Sequence, residues 1–402
     1  MDYEARHLIE ALRSGIPSRR VGRYFSSSRK ELLDSIREDL SEVEDGQSKG
    51  RVIIGKYGEG KTHLLNTVFS IAQENNFVVS LVSISKETPP NNLCGLYKRI
   101  LENTFLPGSN ESGIQGLFEG LDADGEKANE MYLYALKKLP SDKLYYVFRT
   151  LLSSQGHRDD DVDAIDADMR GYFINQTTLK KLYQKYCDDK AVFREKFVQK
   201  KHTFDYFTFM AKLFRVMGYK GWVILFDEAE LIGRMARKSR ENSYLNIDRF
   251  LNPDPLLEGV YSLFAFSSSF ADEVIADKNE YSSVALSGKS EDEIKAMTDT
   301  LDRITKGTEL KSLTKEELNE SVKSIVSLYE RAYDRDMDCD AATLVETADR
   351  AGFLLRTKIR AVIEALDQIY QYGDIGEVGA GKVQSEDISE MINSYFDIPD
   401  EE

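Results

Sequence analysis

Residues 51–65 read RVIIGKYGEGKTHLL, and the rest of the chain is best read outward from them. Val52, Ile53 and Ile54 are β-branched and apolar, which predicts a buried strand stopping at Gly55. GKYGEGKT over 55–62 then has the G-x-x-x-x-G-K-[ST] spacing of a phosphate loop. Gly55, Gly58 and Gly60 permit backbone turns in which successive N–H groups point at phosphate oxygens. Lys61 has the charge and reach for the β- and γ-phosphates, and the Thr62 hydroxyl suits Mg²⁺. Leu64, Leu65, Val68 and Phe69 recur at helical spacing, so a helix opens here with its positive dipole end toward the anion. Gly55, Gly58, Glu59, Gly60, Lys61, Thr62 and His63 are thus the expected nucleotide-binding residues.

A second motif complements the first. GWVILFDEAE at 221–230 predicts a buried strand, Trp222 to Phe226, running into Asp227 and Glu228. After a phosphate loop, such a strand is the expected partner that holds the metal. Asp227 would act on Mg²⁺ and Glu228 would orient and polarise the attacking water. The adjacent glutamate points to the additional-strand class of P-loop proteins, which hydrolyse ATP with a carboxylate, and away from metabolic kinases. ATP and Mg²⁺ are therefore the expected cofactors.

A further apolar strand, VYSLFAF at 260–266, ends in Ser267, Ser268 and Ser269. A hydroxyl at its tip, from Ser267 or Ser268, could bond the γ-phosphate or the water; a plain strand-ending turn is the other reading. GFLLRTKIR places Arg356 at a helix start, with Lys358 and Arg360 nearby. Arg356 there is similar to a sensor arginine that reaches the γ-phosphate from a lid, and a surface helix arginine is the alternative. An arginine finger acting on a neighbouring copy could be Arg303, Arg249, Arg234 or Arg237.

The chain has 402 residues, 41% hydrophobic and 30% charged, so two or three soluble globular domains are expected. No apolar stretch approaches membrane-spanning length, and the first fifteen residues read as an amphipathic helix rather than a signal peptide. Cys94, Cys187 and Cys339 lie far apart without metal-ligand spacing, which suits reduced thiols and a cytoplasmic location. DADG at 122–125 lacks the ligand pattern of a calcium loop. A formal charge of −16 argues against a generalised grip on DNA. Two local basic clusters stand out: Arg13, Arg19, Arg20, Arg23, Arg29 and Lys30 near the start, and Arg234, Arg237, Lys238 and Arg240 after the acidic pair. Solvated helix faces would look the same in sequence.

The expected organisation follows. Residues 1–48 form an N-terminal helical segment packing near the nucleotide, with Ser18 or Ser27 as caps and Ile16, Pro17 or Val21 as one wall for adenine. An ATPase core covers 49–306, with strands near 52–54, 77–84, 222–226 and 260–266. It carries a long helical insertion at about 86–205, a stretch that lacks convincing strands. A helical lid covers 307–372, with helices near 341–350 and 355–372 and Thr314 capping another through a box with Glu317. A tail with an acidic helix occupies 373–402.

EALRSGIPSR, GKYGEGKTHLL, GYKGWVILFDEAELI and LLRTKIRAVIEALD together resemble the BREX-system ATP-binding proteins of BrxD type. Tyr57 inside the loop, His63 after Thr62 and the DEAE sequence are particular to that resemblance. Thr62 stands where serine is common, and Ser267 where threonine often lies. The resemblance spans nearly the whole chain and is weakest across 86–205. It implies an α/β, AAA+ P-loop fold related to initiator and STAND ATPases, with a parallel sheet, helical insertion and C-terminal helical lid. It also implies an ATPase of an anti-phage defence system that couples ATP state to double-stranded DNA or to other defence-system proteins, as a homo-oligomer. Two other classes fit the motifs alone: an initiator-like DNA-loading switch ATPase, and an oligomerising signalling NTPase that touches no nucleic acid.

Overall fold

The computed structural model describes residues 2–15, 22, 29–114, 116–157, 160–352, 354–376, 378 and 379. Ile16, Pro17, Ser18, Arg19, Arg20, Val21, Arg23, Ser27 and the terminal segment from 380 onward lie outside the described residues, and with them the expected adenine wall, the two serine caps and the acidic terminal helix.

The chain divides into two compact units, one of Met1–Leu33, Tyr57–Thr67 and Leu310–Glu402, the other of Asp34–Lys56 and Val68–Glu309. The elements in chain order begin with α1 (Tyr3–Ser14), α2 (Lys30–Glu44), β1 (Lys49–Gly55), α3 (Lys61–Glu74) and β2 (Val78–Ser83). A helical stretch follows: α4 (Leu93–Glu102), β3 (Thr104–Phe105), α5 (Glu126–Lys137), α6 (Lys143–Ser153), α7 (Asp160–Met169), α8 (Gln176–Cys187) and α9 (Gln199–Val216). Then come β4 (Trp222–Asp227), α10 (Arg237–Leu251), β5 (Val260–Ser267), α11 (Glu280–Ala285), α12 (Glu291–Thr305) and β6 (Thr308–Glu309). The last helices are α13 (Lys315–Tyr333), α14 (Ala341–Ala351) and α15 (Leu355–Tyr372).

The larger unit is built on a six-stranded sheet in the order β3-β2-β4-β5-β1-β6, parallel except for β3. Every residue of β4 is buried, as a central strand covered on both faces requires. β5 lies between β1 and β4, and that added strand makes this the additional-strand α/β fold of a P-loop ATPase core. A buried chain of hydrogen bonds crosses the sheet edge. Trp222 Nε1 donates to Ser80 Oγ at 2.8 Å, and Ser80 and Thr104 hydroxyls meet at 2.7 Å.

β3 departs from the expectation that 86–205 lacks convincing strands. It is two residues long and antiparallel to β2, too short to carry an alternating pattern. The insertion's helices close on a buried ion pair. Lys143 Nζ on α6 donates to Asp168 Oδ2 on α7 at 2.6 Å, and both side chains are fully buried. Tyr206 Oη on α9 and the Ile174 N–H also donate to that carboxylate, at 2.6 and 2.7 Å. Rings of Phe197 and Phe173 flank the ammonium at 4.3 and 5.1 Å.

The smaller unit has its own core. Leu8, Ile9 and Leu12 of α1 join Val322, Ile325, Val362 and Ile363 of α13 and α15. Asp2 caps α1 through the Ala5 N–H. Arg13 grips Asp367 with two nitrogens, at 2.7 and 3.0 Å, so this member of the first basic cluster is a packing residue. Thr314 and Glu317 form the expected capping box at α13. Among the described residues no helix is long and apolar enough to cross a membrane.

Candidate functional site

The expected site residues fall into two groups, one in each unit. The larger unit holds the strand tips. Gly55 ends β1 in register with Ser267 of β5, and the Ser268 N–H donates to the Gly55 carbonyl at 3.2 Å. The Ser267 hydroxyl lies 3.1 Å from that of Ser269 and accepts the Ser269 N–H at 3.4 Å. Phe226 pairs with Phe264, which puts Ser267 roughly 7 Å beyond Asp227 along the strand direction.

Asp227 is 5% exposed and closes β4, its Oδ1 accepting the Glu228 N–H at 3.0 Å. The Ile84 N–H donates to the Asp227 carbonyl at 2.9 Å, which fixes the end of the strand. Glu228 sits at φ 57°, a left-handed conformation uncommon for glutamate, and its side chain is exposed. That turn swings the second carboxylate out of the strand while the first stays inside it.

The smaller unit holds the glycine loop. Gly58 and Gly60 have φ of 79° and 93°, left-handed values that only glycine adopts readily. Lys61 is the first residue of α3 and 8% exposed; Thr62 and His63 follow half-buried in its first turn. Burial, with the charge of Arg29 adding to it, pushes the His63 imidazole down to about 4, so it is neutral near pH 7.

The start of α15 packs against this loop. A side chain on Gly58 would meet Leu354 at 3.1 Å, and one on Gly60 would meet Leu355 at 2.9 Å. The Arg356 guanidinium lies 5.7 Å from the centre of the Tyr57 ring. Lys358 is committed to Asp349 at 2.6 Å. The structure therefore brings Gly58, Glu59, Gly60, Lys61, Thr62, His63 and Arg356 together, and separately Gly55, Ser267, Asp227 and Glu228.

Arg29 also meets the glycine loop. In sequence it is one of the basic residues near the start, and its position just before an amphipathic helix is the available signal. It is 8% exposed and donates Nη2 to the Glu59 carbonyl at 2.7 Å. The second basic cluster also changes. Arg240 is buried against the carboxylate of Glu280, with 3.0 Å from its Nε, and donates to the Met235 carbonyl at 2.7 Å. Arg237 pairs with Glu241 at 2.9 Å. Among the other finger candidates, Arg249 covers the Phe204 ring and Arg303 donates to the Gly50 carbonyl.

The sequence model of the family described as BREX system ATP-binding protein BrxC/D matches residues 2–121 and 189–391. The chain belongs to this BrxC/D family. It is accordingly an ATP-binding protein of a BREX system. The BrxC/D match takes in the glycine loop, the Asp227-Glu228 strand and α13 to α15, and skips residues 122–188, where α5 to α8 lie. No curated protein and no solved structure matches the chain.

Proposed function

We propose that the chain hydrolyses ATP, with Lys61 on the β- and γ-phosphates and Glu228 activating the water. The observation that carries this reading is the divergence of two consecutive carboxylates at the end of β4. Asp227 is held in the strand by its neighbour's N–H, and Glu228 is turned outward at positive φ. Thr62 and Asp227 supply hard oxygen donors of the kind Mg²⁺ prefers, and the metal would neutralise phosphate charge there. Ser267 serves as sensor on β5 and Arg356 as sensor on α15, the latter supported by its place beside Tyr57.

In this reading 49–306 is the ATPase core, 307–372 its lid, 1–48 a segment near the nucleotide and 373–402 a tail. Glu228→Gln should keep ATP binding and lower turnover by roughly a hundredfold or more. Lys61→Ala should abolish binding, and Arg356→Ala should reduce kcat more than affinity. Wild-type turnover in Glu228→Gln would remove the catalytic assignment.

ATP state is coupled to a partner of the defence system, either double-stranded DNA or another protein, and the chain acts as a homo-oligomer. With Arg240 buried, the basic face for DNA reduces to Arg234, Arg237 and Lys238. Neutralising these three should weaken duplex binding at low salt and flatten its salt dependence. Unaltered duplex affinity would favour the protein partner, as the signalling-NTPase alternative holds; slow turnover with tight duplex binding would favour the initiator-like switch.

A further inference from the structure

Arg29 precedes α2 at φ 54°, a left-handed conformation that costs a non-glycine residue of order 1 kcal/mol unless its surroundings impose it. The far end of the side chain is held fast. Nη2 donates to the Glu59 carbonyl at 2.7 Å, and Nε and Nη2 both reach the Lys311 carbonyl at 3.3 Å. Among the described residues, all three hydrogen bonds of this buried guanidinium end on backbone oxygens. Leu355, Leu313 and Lys358 line the same small space.

The consequence lies in the Glu59–Gly60 peptide. A planar trans peptide directs its C=O and N–H to opposite sides. With the Glu59 oxygen drawn to Arg29, the Gly60 N–H faces away from it. A side chain at Gly60 would lie 3.5 Å from Arg29 and 2.9 Å from Leu355, so the peptide has little room to turn over. In a phosphate loop the N–H groups make the anion site, and the orientation of this one is set from behind by Arg29.

We propose that Arg29 is a positioning residue for nucleotide binding: it turns the Glu59–Gly60 peptide so that the Gly60 N–H meets the nucleotide's phosphates, and it anchors that peptide to the Lys311 carbonyl. The inference rests on reading 55–62 as the ATP-binding loop. Arg29 touches no phosphate in this account.

The test measures equilibrium binding of ADP and of a non-hydrolysable ATP analogue to the full chain carrying Arg29→Met, Arg29→Lys or Lys61→Ala. Melting temperature without nucleotide is followed in parallel. Arg29→Met should lose roughly tenfold to a hundredfold in affinity for both nucleotides, the size of a charge-supported hydrogen bond. KM for ATP should rise with kcat altered less than about threefold, because the N–H contact is made in ground and transition states alike. Arg29→Lys should recover part of the affinity, since one ammonium reaches one carbonyl but lacks the fork for two. A purely structural arginine would instead lower the melting temperature and leave the affinity of folded protein unchanged. Wild-type affinity in Arg29→Met, with binding lost in Lys61→Ala, overturns the inference and leaves the loop assignment standing. Wild-type affinity in Lys61→Ala overturns both. Should Arg29→Met fail to fold, Arg29→Lys decides: reduced affinity supports the inference, and unaltered affinity overturns it.

Discussion

The glycine loop and the helical segment 122–188 are each built around a buried cation, and they accommodate it in opposite ways. Arg29 is 8% exposed and its hydrogen bonds end on backbone carbonyls, while the Glu317 and Glu59 carboxylates act on it only through space. Burial lowers it to about 10. Lys143 is fully buried and faces a full carboxylate, with aromatic rings beside it. Burial pushes the Lys143 amine down and the Asp168 carboxyl up, and three converging donors oppose the shift of the carboxyl. A cation whose hydrogen bonds end on dipoles can be removed without stranding a hydrogen-bonded opposite charge; one half of an ion pair cannot. The first arrangement suits a loop whose backbone direction matters, and the second suits helices that must stay together.

The sharpest way to break this comparison is to remove one member of the pair. Asp168→Ala strands the Lys143 ammonium and two further donors, and urea unfolding should show a loss of about 3–5 kcal/mol. The double variant Lys143→Met with Asp168→Leu should recover most of that loss, because no charge is left behind. Arg29→Met should cost only about 1 kcal/mol in the same measurement, since what remains is carbonyl oxygens. If the two single variants cost the same, the distinction between charge-paired and dipole-held cations fails.

A further expected effect is on pH. Burial, with Arg29's charge adding to it, lowers His63 to about 4 from an ordinary 6.5. Between those values the unfolded chain binds a proton that the folded one refuses, so His63 weakens the fold as pH falls from about 6.5 to 4. His63→Gln should flatten that part of the stability curve, read from melting temperature between pH 4 and 7. An identical slope in both proteins would assign the dependence to the carboxylates.

Legibility in the sequence tracked how local each signal was. The four principal strands announced themselves as apolar runs, and β4 and β5 differ from expectation by one residue at an end. The last two helices fell at 341–351 and 355–372 because capping residues and 3.6-residue periodicity are local. The β3 and β6 strands, two residues each, were invisible because their pairing depends on distant neighbours. The same holds for the partners of charged residues. Arg240 looked like one of four exposed cations until Glu280, forty positions later, closed over it. Lys143 and Asp168 lie in helices where nothing in the pattern links them. Arg29 was hidden because its partners are carbonyl oxygens, which every residue carries.

The smaller unit also sets a timetable for synthesis. Its α1 leans on α13, as in the bond from Arg6 Nε to the carbonyl of Ala332, 326 positions away. At translation rates of 5–20 residues per second, α1 leaves the ribosome roughly 15–60 s before its helical partners exist. The strands of the six-stranded sheet are all made within that interval, ending with β6 at Glu309. Leu8, Ile9 and Leu12, buried in the finished protein, are exposed throughout it. A newborn chain therefore trails an amphipathic segment with an uncovered apolar stripe for most of its production, and a chaperone that recognises such stripes has a target here that disappears once α13 and α15 arrive.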